Sequence, residues 1–510
     1  MNVLFISIDS LRRDFLNTYR ETPAVVDYDI NTENLDRFAQ KATVFDTHYA
    51  GSLPCMPARR EWQTGIQEFL WRPWGPIEPF DTPLPQALRE NGTLTQLITD
   101  HYHYFQHGSN GYYEDYNGFS FIRGHEIDAW QTAPREPDEQ LSEQLSDAGT
   151  DHPDSLRFIN RIQYARNVAS FDSEADFFAP KVFSKVSNWL ERNRDWDSWY
   201  LNVDSFDVHE PFHCPEPYAS MYTDEDPQDS DIPVWPHYGR VDEGQSALTD
   251  RELDFVRSQF AGKVTMADRW FGRVLDTLDE QNLWDETMVV VTSDHGFLLG
   301  DHGWVGKNDS PLYDVLARTP LMIWHPDSPR MGDRISALTS AVDLYATVLD
   351  AFDVDIPVQT HSRNLLPLLM DETDHHRDWA LYGYWGASVN VTDGTYTYHH
   401  PCNADIPTDC YSTSMMNSRS WFTPVTPKRD ADVGSYLPYT ESPVWRYAGK
   451  SYEQHTRPLL YNVQNDSRQQ TNLAGDSIQV ETEMRELLHK AMAELGAPKS
   501  QYHRLGITSD

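Results

Sequence analysis

The chain has 510 residues, and its 79 Asp and Glu against 41 Lys and Arg give a formal net charge of -38 at pH 7. Such a surface repels DNA and anionic membranes, which argues against nucleic acid and membranes as partners. We interpret the excess acid as a solvated surface suited to high salt, with an acidic partner-binding surface as the alternative. Any site for an anion must therefore carry its own local positive charge.

Strands and helices alternate along the first two thirds of the chain. Residues 3–8 are an apolar, β-branched run typical of a strand buried on both faces. Further strands are predicted at 94–99, 199–204, 286–292 and 321–324. Helices are predicted at 33–42, 178–193 and 341–352. Another begins with Pro57 in its first turn and runs through Thr64 to a stop at Gly65. A long helix is predicted at 250–281, with an interruption at Gly262. This order predicts an α/β fold, with a large mostly parallel sheet flanked by helices.

After about residue 375 the pattern changes to short aromatic-rich strands. These are predicted at 379–384, 387–392 and 395–399, and an Asp-Gly pair between the last two signals a hairpin. Residues 401–457 are predicted to be irregular, and a helix is predicted at 478–495. We therefore predict a catalytic α/β domain at 1–375 and a smaller α+β domain at 376–510. Two acidic loops are predicted, at 131–155 and 222–248.

Four cysteines are too few for a disulfide framework in a chain of this length. Cys402 and Cys410 are close enough in sequence to form one local disulfide. The first eight residues lack a basic region and a cleavage signal, and they are predicted to be a strand instead of a signal peptide. No apolar stretch approaches the length that spans a membrane. These features predict a cytoplasmic protein.

Acidic side chains follow two of the predicted strands. Asp9 comes directly after the first strand, and Asp294 with His295 follows the strand at 286–292. Open α/β sheets bind ligands at the carboxyl ends of their strands, and two carboxylates with an imidazole there suit a divalent cation. The alternative for each aspartate alone is a helix cap or a turn.

Cys55 and Arg59 stand one helical turn apart at the start of the helix that Pro57 marks. Helix N-termini attract anions through their free N–H groups, and an arginine one turn later adds a fixed positive charge. The alternative is a buried structural cysteine with a surface arginine. The pair therefore indicates an anion site only in combination with the aspartates.

Together these motifs resemble the sulfatase family of the alkaline phosphatase superfamily. Cys55-Met56-Pro57-Ala58-Arg59, followed by Thr64-Gly65, matches the family's Cys-x-Pro-x-Arg signature. Similar segments extend over nearly the whole chain: Asp9 to Asp14, Ser293 to Gly296, Gly300 to Gly303 with Lys307, Arg318 to Ile323, and Leu460 to Leu473.

The resemblance implies an alkaline-phosphatase-like fold, a divalent cation and a modified nucleophile. Cys55 would be oxidised to formylglycine (3-oxoalanine) by a formylglycine-generating enzyme. The metal ligands would be Asp9, Ser10, Asp294, His295 and residue 55 itself. Ser10 and His295 replace the acid and the asparagine that are common in the family, which leaves the ion open between Ca²⁺, the first choice, and Mn²⁺.

The remaining catalytic residues are carried over from the same resemblance. Arg59 would support the nucleophile, while Lys307 and a histidine neutralise the substrate's oxygens. His209 matches a mid-chain family histidine, and His209 or Lys307 would protonate the leaving oxygen. The family's Lys-x-His segment is absent, and His101 or His103 takes its place, with His103 the one we assign to the site. His213 is a candidate neighbour of His209.

Three functions remain open from the sequence. The first is hydrolysis of sulfate monoesters, with a small molecule or a saccharide as the alcohol. The second is hydrolysis of phosphonate monoesters or phosphodiesters, because the Asp-x-Leu-Arg-x-Asp opening and the Asp-His-Gly segments are similar to that branch of the superfamily. The third is a catalytically inactive binding protein, which would result if Cys55 is never oxidised.

Overall fold

The computed structural model of the chain describes residues 1–20, 25–106, 108–145, 160–415 and 430–507. The α-helices within these ranges are α1 (Glu33–Ala39), α2 (Cys55–Thr64), α3 (Leu84–Glu90), α4 (Glu139–Leu145), α5 (Ile162–Val168), α6 (Phe178–Asn193), α7 (Asp250–Glu280), α8 (Asp314–Ala317), α9 (Asp343–Ala351), α10 (Leu366–Leu369), α11 (Ile478–Glu494) and α12 (Lys499–Leu505).

The strands within the same ranges are β1 (Asn2–Ile8), β2 (Thr43–Phe45), β3 (His48–Tyr49), β4 (Ser52–Leu53), β5 (Leu94–Thr99), β6 (Gly118–Phe121), β7 (Trp199–Ser205), β8 (Gly239–Arg240), β9 (Thr287–Thr292), β10 (Leu298–Leu299), β11 (Trp304–Gly306), β12 (Leu321–Trp324), β13 (Arg334–Ile335), β14 (Thr339–Ser340), β15 (Ala380–Tyr384), β16 (Val389–Thr392), β17 (Tyr396–His400), β18 (Thr408–Ser412), β19 (Asp432–Gly434), β20 (Val444–Gly449) and β21 (Leu459–Asn462).

An eight-stranded sheet lies at the centre of the molecule, in the order β13-β2-β12-β9-β1-β7-β5-β6. β1 lies between β7 and β9 and is parallel to both. β12 is antiparallel to its neighbours β9 and β2. The structure thus confirms the predicted fold class, a large and mostly parallel sheet.

Helices cover both faces of this sheet. Alternate side chains of β1 point to opposite faces, as the two-residue period of a strand requires. Leu4 and Ile6 pack in one hydrophobic core with residues of α1, α6 and α7. Val3 and Phe5 pack in another with residues of α2, α3 and α9. Burial on both faces explains why the central strands are apolar without alternation.

A second sheet of five strands, in the order β21-β17-β16-β15-β4, packs against α11 and α12. β4 belongs to this sheet through its parallel pairing with β15, although it comes from the first part of the chain. The sheet therefore fixes the short segment that leads into α2. The domain boundary at 375/376 stays a prediction.

Most predicted elements are confirmed, with differences at their ends, and α6, β5 and β12 have the predicted bounds. The interruption predicted at Gly262 is wrong, since α7 is continuous from Asp250 to Glu280. A Cβ at Gly262 would lie 2.6 Å from the carbonyl oxygen of Tyr218 and 3.1 Å from Cys214 Sγ. The glycine is therefore explained by close packing against the segment at 214–218, not by a break in the helix.

Two predictions of irregular structure are wrong in part. Residues 401–457 include β18, β20 and β19, which form a three-stranded sheet, although 416–429 lie outside the described residues. The acidic loop at 131–155 contains α4, and its part from 146 onward also lies outside them. The loop at 222–248 is confirmed apart from the short strand β8 and one short 3-10 turn.

The disulfide predicted between Cys402 and Cys410 is wrong, because all four cysteines are free and buried. Cys410 lies in β18, opposite Tyr447 of β20. The Cys402 thiol instead donates to the carbonyl oxygen of Tyr452, at 3.3 Å. Among the helices that the structure describes, none has the length and apolar character needed to cross a bilayer.

Candidate active site

Three aspartates lie side by side where β9, β1 and β7 end at one edge of the main sheet. Asp294 follows β9, Asp9 follows β1, and Asp204 is the penultimate residue of β7. All three are 0–1% exposed. Asp204 was not predicted as a site residue, although it ends the strand predicted at 199–204 and the reasoning applied to Asp9 would have found it.

Helix α2 brings Cys55 and Arg59 to these aspartates. It begins at Cys55 and ends at Gly65, whose φ of 68° is the left-handed conformation that favours glycine at a helix end. All ten of its residues are buried. Cys55 and Arg59 lie one turn apart and therefore share a face. The predicted helix is confirmed.

The Arg59 guanidinium binds all three aspartates. Its Nε and Nη2 donate to the two carboxylate oxygens of Asp204, at 2.9 and 2.8 Å. Its Nη1 donates to Asp294, and its Nη2 lies 3.0 Å from Asp9 Oδ2. Burial would lower the pKa of Arg59, but the three carboxylates raise it well above its ordinary value. Arg59 therefore stays charged and fixes the carboxylates in place.

His295 faces Cys55 through one ring nitrogen. Its Nδ1 donates to the carbonyl oxygen of Gly296 at 2.8 Å, and its Nε2 lies 3.2 Å from Cys55 Sγ. Burial lowers the pKa of His295 to about 3, so the ring is neutral and Nε2 keeps its lone pair, as a metal ligand requires. A Cβ at Gly296 would collide with the carbonyl oxygen of Val315, which explains the glycine after this histidine.

Four of the predicted metal ligands form one group. The ligand atoms of Asp9, Cys55, Asp294 and His295 all lie within 4.8 Å of one another. Asp9 Oδ2 is buried and accepts no hydrogen bond. Ser10 donates its hydroxyl to Asp9 Oδ1 at 2.7 Å and its backbone N–H to Asp294 Oδ1 at 3.0 Å. Two carboxylates and an imidazole thus fit a divalent cation.

The charges in this group leave a negative excess. Three carboxylates face two cations, Arg59 and Lys307. Lys307 Nζ lies 3.6 Å from Cys55 Sγ and 3.4 Å from Ser10 Oγ. Burial and the Asp294 carboxylate raise the pKa of Asp9 well above its ordinary value, which reflects the cost of this excess. One divalent cation would change the net charge of the group from negative to positive, as the binding of an anionic substrate requires.

A cavity of about 240 Å³ opens at Cys55. His103, His209 and Lys307, which the sequence predicted for the site, line it, together with Pro54, Trp74, Tyr102, Gln106, Glu126, Ile127, Arg161, Glu210, Trp235, Tyr238 and Asn308. Among the charged residues that line the cavity, Glu126, Glu210 and Arg161 were missed by the sequence analysis. Glu210 follows directly after His209, which was a signal that could have been used.

Two other predicted histidines do not line the cavity. His101 is fully buried, and its Nε2 lies 4.0 Å from Asp9 Oδ2. His213 packs elsewhere, with its Nδ1 3.3 Å from the hydroxyl of Tyr164. Of the two histidines considered for the Lys-x-His position, the structure places His103 in the cavity.

His103 is held between two hydrogen-bond acceptors. Its Nδ1 lies 2.7 Å from Gln106 Oε1, and its Nε2 lies 3.2 Å from Glu126 Oε2. Burial would raise the pKa of Glu126, but His103 holds it below its ordinary value.

His209 is arranged differently. Its Nδ1 lies 2.9 Å from the carbonyl oxygen of Glu210, and the buried Lys263 donates to the backbone oxygen of His209 at 2.7 Å. Burial and the charge of Lys307 lower the pKa of His209 well below its ordinary value. His209 is therefore a neutral hydrogen-bonding group at the cavity wall.

Comparisons with known proteins show which family and relatives the chain resembles. The family model described as Sulfatase matches residues 1–354. The "Multifunctional alkaline phosphatase superfamily protein PehA" of Trinickia caryophylli is 27% identical over 411 residues, which cover 72% of this chain and 77% of that protein. The "Uncharacterized sulfatase YidJ" of Escherichia coli is 26% identical over 387 residues, covering 72% of this chain and 70% of that protein.

The same fold occurs in a solved structure. The phosphonate monoester hydrolase of Agrobacterium radiobacter aligns with a TM-score of 0.65 and 21% sequence identity, over 97% of this chain and 96% of that one. At this identity the similarity concerns the fold, and it includes the large sheet that carries the three aspartates.

Proposed function

The chain belongs to the sulfatase family of sulfuric ester hydrolases, and we propose that it hydrolyses sulfate monoesters with a formylglycine at position 55 and one divalent cation. One observation carries this proposal. Cys55 lines the catalytic cavity, between His295 and Lys307, beside carboxylates with excess negative charge.

Asp9, Asp294 and His295 would hold the cation, and Ser10 would orient the two carboxylates. The cation supplies positive charge that attracts and polarises an oxygen of the substrate. Ca²⁺ is our first choice because carboxylate oxygens dominate the donor set, and Mn²⁺ is the alternative because it accepts an imidazole. Metal analysis of the purified protein, with one ion per chain expected, decides between them.

Cys55 in its unmodified form is poorly suited to attack a sulfate ester. Burial raises the pKa of its thiol well above the ordinary value, so the reactive thiolate is not formed. A hydrated formylglycine supplies a hydroxyl nucleophile at the same position. Because Cys55 is 2% exposed, the modifying enzyme would have to act before the chain folds.

The surrounding residues have distinct proposed roles. Lys307 supplies fixed positive charge as negative charge develops on the substrate's oxygens, and Arg59 supports the nucleophile and holds the carboxylates. His103 is the proton donor that the geometry supports best, since its two nitrogens face Gln106 and Glu126. His209 would donate or accept a hydrogen bond without carrying charge.

The identity of the proton donor is tested by comparing the rates of variants on esters with poor and good leaving groups. Removal of a general acid typically costs about 100- to 10,000-fold in rate, and the loss is largest for poor leaving groups. We expect His103→Asn to slow an alkyl sulfate far more than 4-nitrophenyl sulfate, while His209→Asn slows both equally. The reverse pattern would assign the proton transfer to His209, and an equal loss in both variants would favour Lys307.

The function itself is tested with protein that is produced together with a formylglycine-generating enzyme. Peptide mass spectrometry measures the oxidised fraction of residue 55, and 4-nitrophenyl sulfate measures turnover. We expect activity in proportion to that fraction and none in Cys55→Ala. Full activity of a preparation whose Cys55 is entirely unmodified would refute the mechanism. A fully modified, metal-loaded protein that hydrolyses no ester would support the third alternative, a binding protein.

Hydrolysis of phosphonate monoesters or phosphodiesters is the second candidate. It is favoured by His295, which stands in a segment similar to that branch of the superfamily. Both ester classes carry one negative charge, as a sulfate monoester does, whereas a phosphate monoester dianion meets more repulsion from this acidic protein. We expect the aryl sulfate or aryl phosphonate to exceed the aryl phosphate in kcat/KM. A tenfold preference for the phosphate, about 1.4 kcal/mol of barrier, would overturn both assignments.

A cytoplasmic location belongs to the same proposal. It is supported by the free thiols of all four cysteines, which fit a reducing compartment. Fractionation of the native host, with the protein followed by an antibody, tests it.

A further inference from the structure

A second cavity, of about 570 Å³, adjoins the catalytic cavity. Pro54, Trp74 and Asn308 line both cavities, so the two meet at these side chains. Ligand pockets generally measure about 300–1,000 Å³, a range that the second cavity reaches and the catalytic cavity does not. A substrate with its sulfate at Cys55 can therefore place the rest of its structure in the second cavity.

Aromatic side chains form most of the wall of the second cavity: Trp74, Trp304, Tyr384, Trp385 and Tyr452. Two of them belong to the C-terminal five-stranded sheet, at the end of β15 and directly after it. The hydroxyl of Tyr384 donates to the backbone oxygen of Lys307, which attaches this wall to the catalytic cavity. Aromatic faces bind the apolar faces of rings by stacking.

The charged groups that line this cavity are both carboxylates. Asp309 and Glu453 are exposed at its rim, and Asn308 adds an amide. No lysine or arginine is among the residues that line it. Carboxylates accept hydrogen bonds from hydroxyl groups but repel a second anion, and such like-charge contacts discriminate strongly between partners.

We propose, on the premise of the function proposed above, that the second cavity binds the alcohol part of the substrate, an uncharged hydroxylated ring such as a neutral sugar. The sulfate that is cleaved is then the substrate's only anionic group. Asp309 and Glu453 determine this specificity by excluding a second sulfate or a carboxylate near the scissile bond.

The first test compares matched substrates. The metal-loaded, formylglycine-containing enzyme is assayed with a neutral methyl glycoside monosulfate, with the same glycoside carrying a second sulfate, with the corresponding sulfated uronic acid, and with choline sulfate. We expect the neutral monosulfate to exceed both dianions by about tenfold or more in kcat/KM, the order of effect of one like-charge contact. A preference for either dianion, or for choline sulfate, would overturn the proposal.

The second test assigns the selectivity to residues. In the double variant Asp309→Asn, Glu453→Gln we expect the discrimination against the dianions to fall to within about threefold. The matched control is Asp355→Asn, Glu372→Gln, which removes two exposed carboxylates that line neither cavity and should leave the discrimination unchanged. An equal change in both double variants would mean that net charge, not this cavity, sets the preference.

A third measurement separates binding from turnover. In the Cys55→Ala background, calorimetry with the neutral sugar monosulfate should show binding that Trp304→Ala weakens about tenfold or more. If 4-nitrophenyl sulfate is turned over but Trp304→Ala does not affect the sugar, the cavity assignment fails while the proposed function stands. If no sulfate ester is turned over by fully modified enzyme, the proposed function itself fails.

Discussion

Two consecutive arginines of helix α2 show how one residue type serves two purposes. Arg59 and Arg60 are each 1% exposed, but they point to different sides of the helix. Arg59 contacts the three aspartates at the edge of the main sheet. Arg60 donates to the backbone oxygens of Pro73 and Pro76, at 2.7 and 3.1 Å, and forms an ion pair with Glu68.

The surroundings of the two arginines differ in their charge balance. The cluster at Arg60 is balanced, because Arg72 pairs with Glu68 and binds both oxygens of Asp81, at 2.9 and 3.0 Å. Two guanidinium groups there directly contact two carboxylates, Glu68 and Asp81, while the nearby Glu78 is hydrogen-bonded to Ser412 and Thr413. The cluster at Arg59 has three carboxylates for two cations and lies beside a cavity. A buried group whose charges balance is structural, whereas an excess of negative charge beside a cavity favours a cation site.

A matched pair of variants, Arg59→Lys and Arg60→Lys, tests most directly whether Arg59 serves function and Arg60 serves structure. Each keeps the charge and loses the planar fork that binds several acceptors. We expect Arg59→Lys to lower kcat by about 100- to 1,000-fold, the typical cost of removing a preorganised donor. Arg60→Lys should keep kcat per folded molecule within about threefold. Steady-state kinetics, normalised to the folded fraction by circular dichroism, measure both, and an equal loss in the two variants would contradict the functional distinction.

A second pair tests the charge excess through the metal. Asp9→Asn removes one carboxylate from the unbalanced cluster, and we expect its affinity for the cation to fall by about 100-fold or more, since even the partners of metal ligands contribute about 10- to 100-fold. Asp81→Asn in the balanced cluster should leave that affinity unchanged. Competition with a metal-sensitive dye gives both constants. Unaltered metal binding by Asp9→Asn would remove this residue from the ligand set.

Removal of the cation should lower the stability of the wild-type protein. A ligand present at about 100 times its Kd stabilises the folded state by about 2.7 kcal/mol, and here it also relieves repulsion among three buried carboxylates. Differential scanning calorimetry before and after chelation, with the metal then restored, measures the effect. We expect the Tm to fall and recover in the wild type, with a much smaller change in Asp9→Asn. An equal fall in both would place the stabilising ion elsewhere.

Removal of the Arg60 guanidinium fork should affect stability instead of activity. Arg60→Lys leaves at least one buried carbonyl oxygen without a donor, which costs about 1–3 kcal/mol. Urea unfolding followed by tryptophan fluorescence measures the loss. A variant as stable as the wild type would show that Pro73 and Pro76 find other donors, and that the loop they belong to does not depend on this arginine.

Added salt should change the Tm less than the variants above do, because it screens only the charges at the surface. We propose that the surface, with a net charge of -38, is adapted to high salt, because ions screen its self-repulsion over a Debye length of about 10 Å at 0.1 M. The Tm should rise as KCl is increased to molar levels. The ranking of Arg59→Lys and Arg60→Lys in kcat should not change, because their partners are buried. A Tm that stays constant or falls would refute the halophilic interpretation.

The sequence predicted those parts of the protein that depend on local pattern. The apolar runs of β1 and β9 predicted buried strands, and Asp9, directly after β1, and Asp294, two residues after β9, were placed at the sheet edge. Pro57 and Gly65 predicted the helix that carries Cys55 and Arg59. These inferences hold because strand and helix periods, and the position of a residue at the end of an element, are properties of neighbouring residues.

The tertiary structure decided which distant segments meet. Asp204 is a partner of Arg59 only because β7 lies next to β1. His103 could be distinguished from His101 only by the structure, in which His103 lines the catalytic cavity and His101 does not. The aromatic cavity combines the segment that leads into α2, the segment near Lys307 and the end of β15, and no local pattern links these three. Packing between segments far apart in sequence depends on the whole fold, so the charge balance and the cavities that it produces could not be determined from the sequence alone.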